Sequence, residues 1–140
     1  MNKEKLANLL DGSEYPFRLN RKIRDLAKED GLLVIYGMSD DLMELEGAIS
    51  DECGCFNGGS FMLDDQGILL PWDGDDYGDE YDAEQYFKRK PKAKMLEALW
   101  CEEEEYSWTY KTDIPHACFD IVEDGEKYCR GIVIDLKDLK

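Results

Sequence analysis

The run Asp73-Gly74-Asp75-Asp76-Tyr77-Gly78-Asp79-Glu80-Tyr81-Asp82-Ala83-Glu84 spaces its carboxylates much as a twelve-residue calcium loop does. Asp73 would take the first ligand position, Asp75 the third, Gly78 the sharp turn and Glu84 the bidentate closing position. Tyr77 stands at the fifth position, where a carboxylate or amide oxygen belongs, and Ile68-Leu69-Leu70-Pro71-Trp72 before it is no entering helix. Cys53, Cys55, His116 and Cys118 are four soft ligands of the kind zinc takes. Each pair encloses one residue, whereas structural zinc knuckles enclose two or more. A small buried thiol and a histidine capping a strand entrance after Pro115 explain the same residues without metal. Asp120, Asp135 and Lys137 would supply the two carboxylates and the cation of a magnesium-dependent nuclease, although the excess of negative charge argues against a nucleic-acid substrate. Asp135 equally fits the cap of a final helical turn. With a single histidine and no G-x-S-x-G, P-loop or H-E-x-x-H, the usual nucleophile arrangements are missing. No cofactor, resident metal or catalytic residue is expected.

Charge is the more informative property. The 140-residue chain carries 33 Asp and Glu against 17 Lys and Arg, a formal net charge of −16. Between Ser39 and Glu84 there are fifteen acidic residues and no Lys or Arg. Lys88, Arg89, Lys90, Lys92 and Lys94 follow directly. Such segregation produces a negative potential that repels nucleic acid and anionic membranes and attracts basic surfaces. Solubility alone is the plainer explanation of the same composition.

The elements carrying these groups fit one domain. With 43% hydrophobic residues, the chain can bury roughly 68% of its unfolded surface without staples. Five cysteines, only Cys53 and Cys55 close in sequence, suit reduced thiols and a cytoplasmic location. No run reaches the ~20 apolar residues of a membrane span, and the Met1–Lys5 start does not resemble a signal peptide.

Helices are predicted over Lys3–Leu10 and Arg21–Glu29. Asn2 and Asn20 are their caps, Gly12 and Gly31 their stops, and Leu6, Leu9, Leu10 and Ile23, Leu26, Ala27 their apolar stripes. Strands are predicted over Leu32–Tyr36, Met43–Ile49, Phe61–Leu63, Ile68–Leu70, Lys94–Cys101, Tyr106–Lys111, Ala117–Val122 and Lys127–Ile134. Asp124-Gly125 favours a tight hairpin turn. A short helix from Asp82 stops before Pro91, and Asp135–Leu139 forms a terminal turn. The sum is an α+β fold: a mostly antiparallel sheet of about five to seven strands, two N-terminal helices and one short central helix packed on it, ending in an antiparallel meander.

Tyr36-Gly37-Met38-Ser39-Asp40-Asp41, Glu46-Gly47-Ala48-Ile49, Tyr106-Ser107-Trp108-Thr109-Tyr110 with Asp113-Ile114-Pro115-His116, and Asp124-Gly125-Glu126 before Tyr128-Cys129-Arg130-Gly131 carry a family likeness. In them the chain resembles small uncharacterised acidic proteins encoded by bacteriophages and prophages. The resemblance implies an accessory protein of the anti-defence kind, acting on a host factor, and transfers no site residue. Joined to the charge pattern, it leads to the expectation of a non-enzymatic inhibitor. Asp40, Asp41, Glu44, Glu46, Asp73, Asp75, Asp76, Asp79 and Glu80 would occupy the basic groove of a host nucleic-acid-binding protein, with a CRISPR nuclease the leading candidate. On a strand, Glu44 and Glu46 stand about 6.6 Å apart, a spacing suited to sites built for phosphates. The alternatives are a metal-dependent hydrolase with Asp and Glu ligands, and a phage structural or assembly factor.

Overall fold

The computed structural model describes residues 1–17, 19–36, 58–72, 92–100 and 108–140. Its elements are α1 (Lys3–Leu10), β1 (Ser13–Glu14), α2 (Arg21–Glu29) and β2 (Leu32–Tyr36), then β3 (Gly58–Asp64), β4 (Gly67–Trp72) and β5 (Lys94–Trp100). β6 (Trp108–Thr112), β7 (His116–Glu123) and β8 (Glu126–Asp135) follow, with a closing 3-10 turn over Leu136–Leu139. The fold is α+β, with two α-helices and mostly strands. Among the described residues there are eight strands rather than five to seven. The one without a sequence signal is β1, whose two residues pair only with β7. The predicted central helix near Asp82 and the strand over Met43–Ile49 lie outside the described residues.

Both helices begin as their caps dictate. The Asn2 side chain accepts the Lys5 backbone N–H at 2.8 Å, and Asn20 accepts that of Lys22 at 2.8 Å, satisfying donors that a helix start leaves without partners. Past the helices, Gly12 and Gly31 take φ of +80° and +70°, which a side chain would resist. The stripes differ from expectation in one residue each. Leu6, Ala7 and Leu10 are buried on α1 while Leu9 is exposed, and on α2 Ala27 is buried while Leu26 is exposed. At ~100° per residue, Leu9 lies about 110° from the middle of the buried arc. A helix seated on a sheet by so narrow an arc leaves its flank in water.

The strands form a sheet in the order β1-β7-β8-β6-β5-β3-β4, with β2 paired to β8 as well. β8 organises it. One edge of β8 pairs antiparallel with β7. The other is shared between β2, which covers Gly131–Asp135, and the start of β6, which meets it in parallel at Trp108–Cys129. This corrects the expected meander. The chain from β6 does not hairpin into its spatial neighbour but passes through β7 first, so β6 and β8 run the same way. Among the described residues, that one register pair joins a half-sheet of β1, β7, β8 and β2 to a half-sheet of β6, β5, β3 and β4.

Alternation along β8 then builds two cores. Val133 and Cys129 face the helices and pack with Leu6, Leu10, Ala27, Leu32, Phe119 and Ile121. Ile132 and Ile134 face the other way, against Ile35, Leu63, Leu96, Ile114 and Leu139. Leu63 and Leu96 come from β3 and β5, so the second half-sheet folds over the face the helices leave open. A strand buried on both faces reads as a continuous apolar run, as Ile132-Val133-Ile134 does.

The hairpin turns carry their expected chemistry. Asp124 and Gly125 have φ of +51° and +81°, the two left-handed residues of a type I′ turn. At the β3–β4 turn the Asp64 carboxylate accepts the Gln66 N–H at 2.8 Å, an Asx turn, and Gly67 follows with φ +108°.

Candidate functional site

Strand direction brings five strand termini to one end of the sheet. β2 ends at Tyr36 opposite Gly131, and two positions along β8, β6 begins at Trp108 opposite Cys129. β5 ends at Trp100 opposite Trp108, β3 begins at Gly58 opposite Leu99, and β4 ends at Trp72 opposite Ser60. The β7–β8 hairpin turns at this end too, presenting exposed Glu123, Asp124 and Glu126, with exposed Glu14 of β1 beside Val122.

These termini flank the acid-rich parts of the sequence. The described residues contain thirteen Lys and Arg and sixteen Asp and Glu, a nearly balanced scaffold. The other seventeen acidic residues fall in segments 37–57, 73–91 and 101–107, where the only basic residues are Lys88, Arg89 and Lys90. Both flanks of the first and third segments are at the hairpin end, as is the leading flank of the second. The trailing flank of the second, running into Lys94 opposite Leu63, is at the other end.

All nine acidic residues singled out from the sequence, namely Asp40, Asp41, Glu44, Glu46, Asp73, Asp75, Asp76, Asp79 and Glu80, lie outside the described residues, as do the calcium-like run over 73–84, Cys53 and Cys55. Their anchors are described: Asp73 follows Trp72 directly, and Asp40 is four residues beyond Tyr36. Tyr36 and Trp72 both stand at the hairpin end of the sheet.

The remaining candidates are distributed along β7 and β8. His116, Cys118 and Asp120 alternate with the buried side of β7 and share its other face. The His116 ring donates from Nδ1 to the Ile114 carbonyl at 2.7 Å, a local strand-entrance contact that holds the ring against its own chain. Cys118 is exposed. Asp120 stands opposite Arg130 across the β7–β8 ladder, an opposite-charge pair of the kind that steadies a sheet. Asp135 lies five residues further along β8, about 16 Å away. There its carboxylate accepts the Lys137 N–H at 3.0 Å as the cap of the final turn. Asp120 and Asp135 therefore do not form one cluster, and among the described residues no three metal-ligating side chains come together.

One feature of the hairpin had no sequence signal. The register shifts between Ile121, opposite Cys129, and Val122, opposite Lys127, leaving Tyr128 as an extra residue on β8. A bulge of this kind re-aims a side chain. Tyr128 turns to the same face as Cys129, against the helix-side core, and meets Tyr15 with ring centroids 4.4 Å apart and planes at 44°. Burial, then the neighbouring Tyr15 and the Glu123 carboxylate, push the Tyr128 hydroxyl above the ordinary tyrosine range. Strict alternation would have set Tyr128 and Cys129 on opposite faces, so the pairing could not be read from the sequence.

No helix among the described residues is long and apolar enough to cross a membrane. No family model matches the chain, and no curated protein or solved structure matches it.

Proposed function

We propose that this chain is a non-catalytic binding domain that presents an acidic surface to the basic, nucleic-acid-binding groove of a partner protein. The observation that supports it is the uneven placement of charge. A nearly neutral scaffold holds, at one end of its sheet, five of the six flanks of the segments that carry the other seventeen acidic residues. Charge concentrated at one pole steers association and selects basic partners, which charge spread evenly for solubility would not do. Asp40, Asp41, Glu44, Glu46, Asp73, Asp75, Asp76, Asp79 and Glu80 are the proposed contacts. The resemblance to phage-encoded proteins makes a host nuclease, a CRISPR nuclease first, the partner to test.

The test is capture of partners on the tagged protein from bacterial lysate, with parallel washes at low and high salt. Nucleic-acid-binding proteins retained at low salt and released at high salt are the expected result, because exposed charge pairs are screened within a Debye length of about 10 Å at 0.1 M and 3 Å at 1 M. Partners that withstand high salt would point instead to an assembly factor.

A further inference from the structure

We propose that the Tyr15–Tyr128 pair is the seat of a partner arginine at the hairpin end of the sheet, an inference that rests on the binding function just proposed. Tyr15 follows Glu14, the last residue of β1, and its N–H donates to the Val122 carbonyl at 2.7 Å, so the backbone beneath the pair is fixed to β7. Tyr15 is 46% exposed, large for an aromatic residue so firmly attached. Tyr128 backs it from the bulge, so one ring is supported while the other meets solvent. Exposed Glu123, Asp124 and Glu126 belong to the hairpin that carries Tyr128, and the hairpin's one lysine, Lys127, stands opposite Val122. That Glu123 helps raise the Tyr128 hydroxyl places the ring within reach of a carboxylate's field, where a cation is favoured.

An aromatic face on an acidic hairpin suits a planar, weakly hydrated guanidinium better than an ammonium. The guanidinium stacks on the ring while its edge donates to the acids; a lysine gives a point charge that keeps its water. Arginine is also the residue that basic nucleic-acid grooves use for planar recognition of phosphate, so the occupant agrees in chemistry with the proposed partner. The seat adds selectivity to an attraction that charge alone would make indiscriminate.

The test uses the full chain and two labelled probes, hexa-arginine and hexalysine, with binding read by fluorescence anisotropy at low salt. The arginine peptide is expected to bind about two- to fivefold more tightly, the worth of one exposed cation–π contact. Tyr15→Phe should keep that preference and Tyr15→Ala should abolish it. Tyr15→Leu, which retains an apolar contact with Tyr128 but has no π face, serves if the alanine variant unfolds. Equal binding of the two peptides to the natural sequence, or a preference that survives in a folded Tyr15→Ala or Tyr15→Leu, overturns the arginine seat and leaves the acidic surface standing. Failure of both peptides to bind overturns both.

Discussion

Phe119→Ala is expected to destabilise the protein by about 3–5 kcal/mol in urea unfolding, the usual cost of emptying a buried aromatic site. Phe119 is 1% exposed and stands directly opposite Gly131 in the β7–β8 ladder. Its ring lies over that glycine, so that a Cβ at position 131 would collide with the ring. The glycine's missing side chain is thus the space the phenylalanine fills, a cross-strand device that covers a bare backbone. Phe17 packs edge-on to the same ring with centroids 6.4 Å apart and to Tyr36 at 4.9 Å, so the cavity would be bordered by rigid aromatic groups that collapse poorly. Gly131→Ala alone should cost about 1–3 kcal/mol by overpacking. In the Phe119→Ala background the same change should cost almost nothing, because the obstructing ring has gone. A coupling of at least about 1 kcal/mol between the two sites is the signature. Additive effects would mean that the ring is not held over the glycine. A domain of this size has only about 5–15 kcal/mol of stability in total, so the pair bears on whether the hairpin presents Tyr128 at all.

Reversing the nine proposed contact residues to lysine is expected to weaken capture of the partner at least about 100-fold, or about 2.7 kcal/mol. Nine reversals of two charges each take the formal net charge from −16 to +2. The attraction to a basic groove then becomes repulsion, and like charges brought together across an interface cost several kcal/mol. The melting temperature of the variant is read alongside, so that loss of binding is separated from loss of folding. A folded variant that binds as before would show that acidity serves solubility and that the partner is recognised elsewhere.

Much of the scaffold was legible because local chemistry and tertiary structure agree there. Asn2, Asn20, Gly12 and Gly31 bounded the helices correctly, and Asp124-Gly125 marked its turn. The apolar run Leu32–Tyr36 became a strand paired along its length with β8. What could not be read depends on contacts distant in sequence. The parallel meeting of β6 with β8 at Trp108–Cys129 is a choice among partners that no period reveals. The bulge at Tyr128 breaks the alternation from which its facing would have been inferred. Leu9 and Leu26 looked like core residues because periodicity gives the direction of a stripe but not the width of the surface that covers it. At the candidate site, the acidic block was visible as composition, while the placement of all but one of the segment flanks at one end of the sheet followed only from the directions of five strands. The metal-site readings suffered the reverse fate where they can be followed. Asp120 and Asp135 matched a chemical pattern, but their places on the β7–β8 ladder put them about 16 Å apart.

The most direct measurement is a competition: a captured nucleic-acid-binding partner, loaded with its labelled nucleic acid, is titrated with this protein while release of the label is followed. Occupation of the groove requires stoichiometric displacement, weakening as salt is raised and absent with the nine-residue reversal. A stable ternary complex, with nucleic acid and this protein bound together, would contradict it.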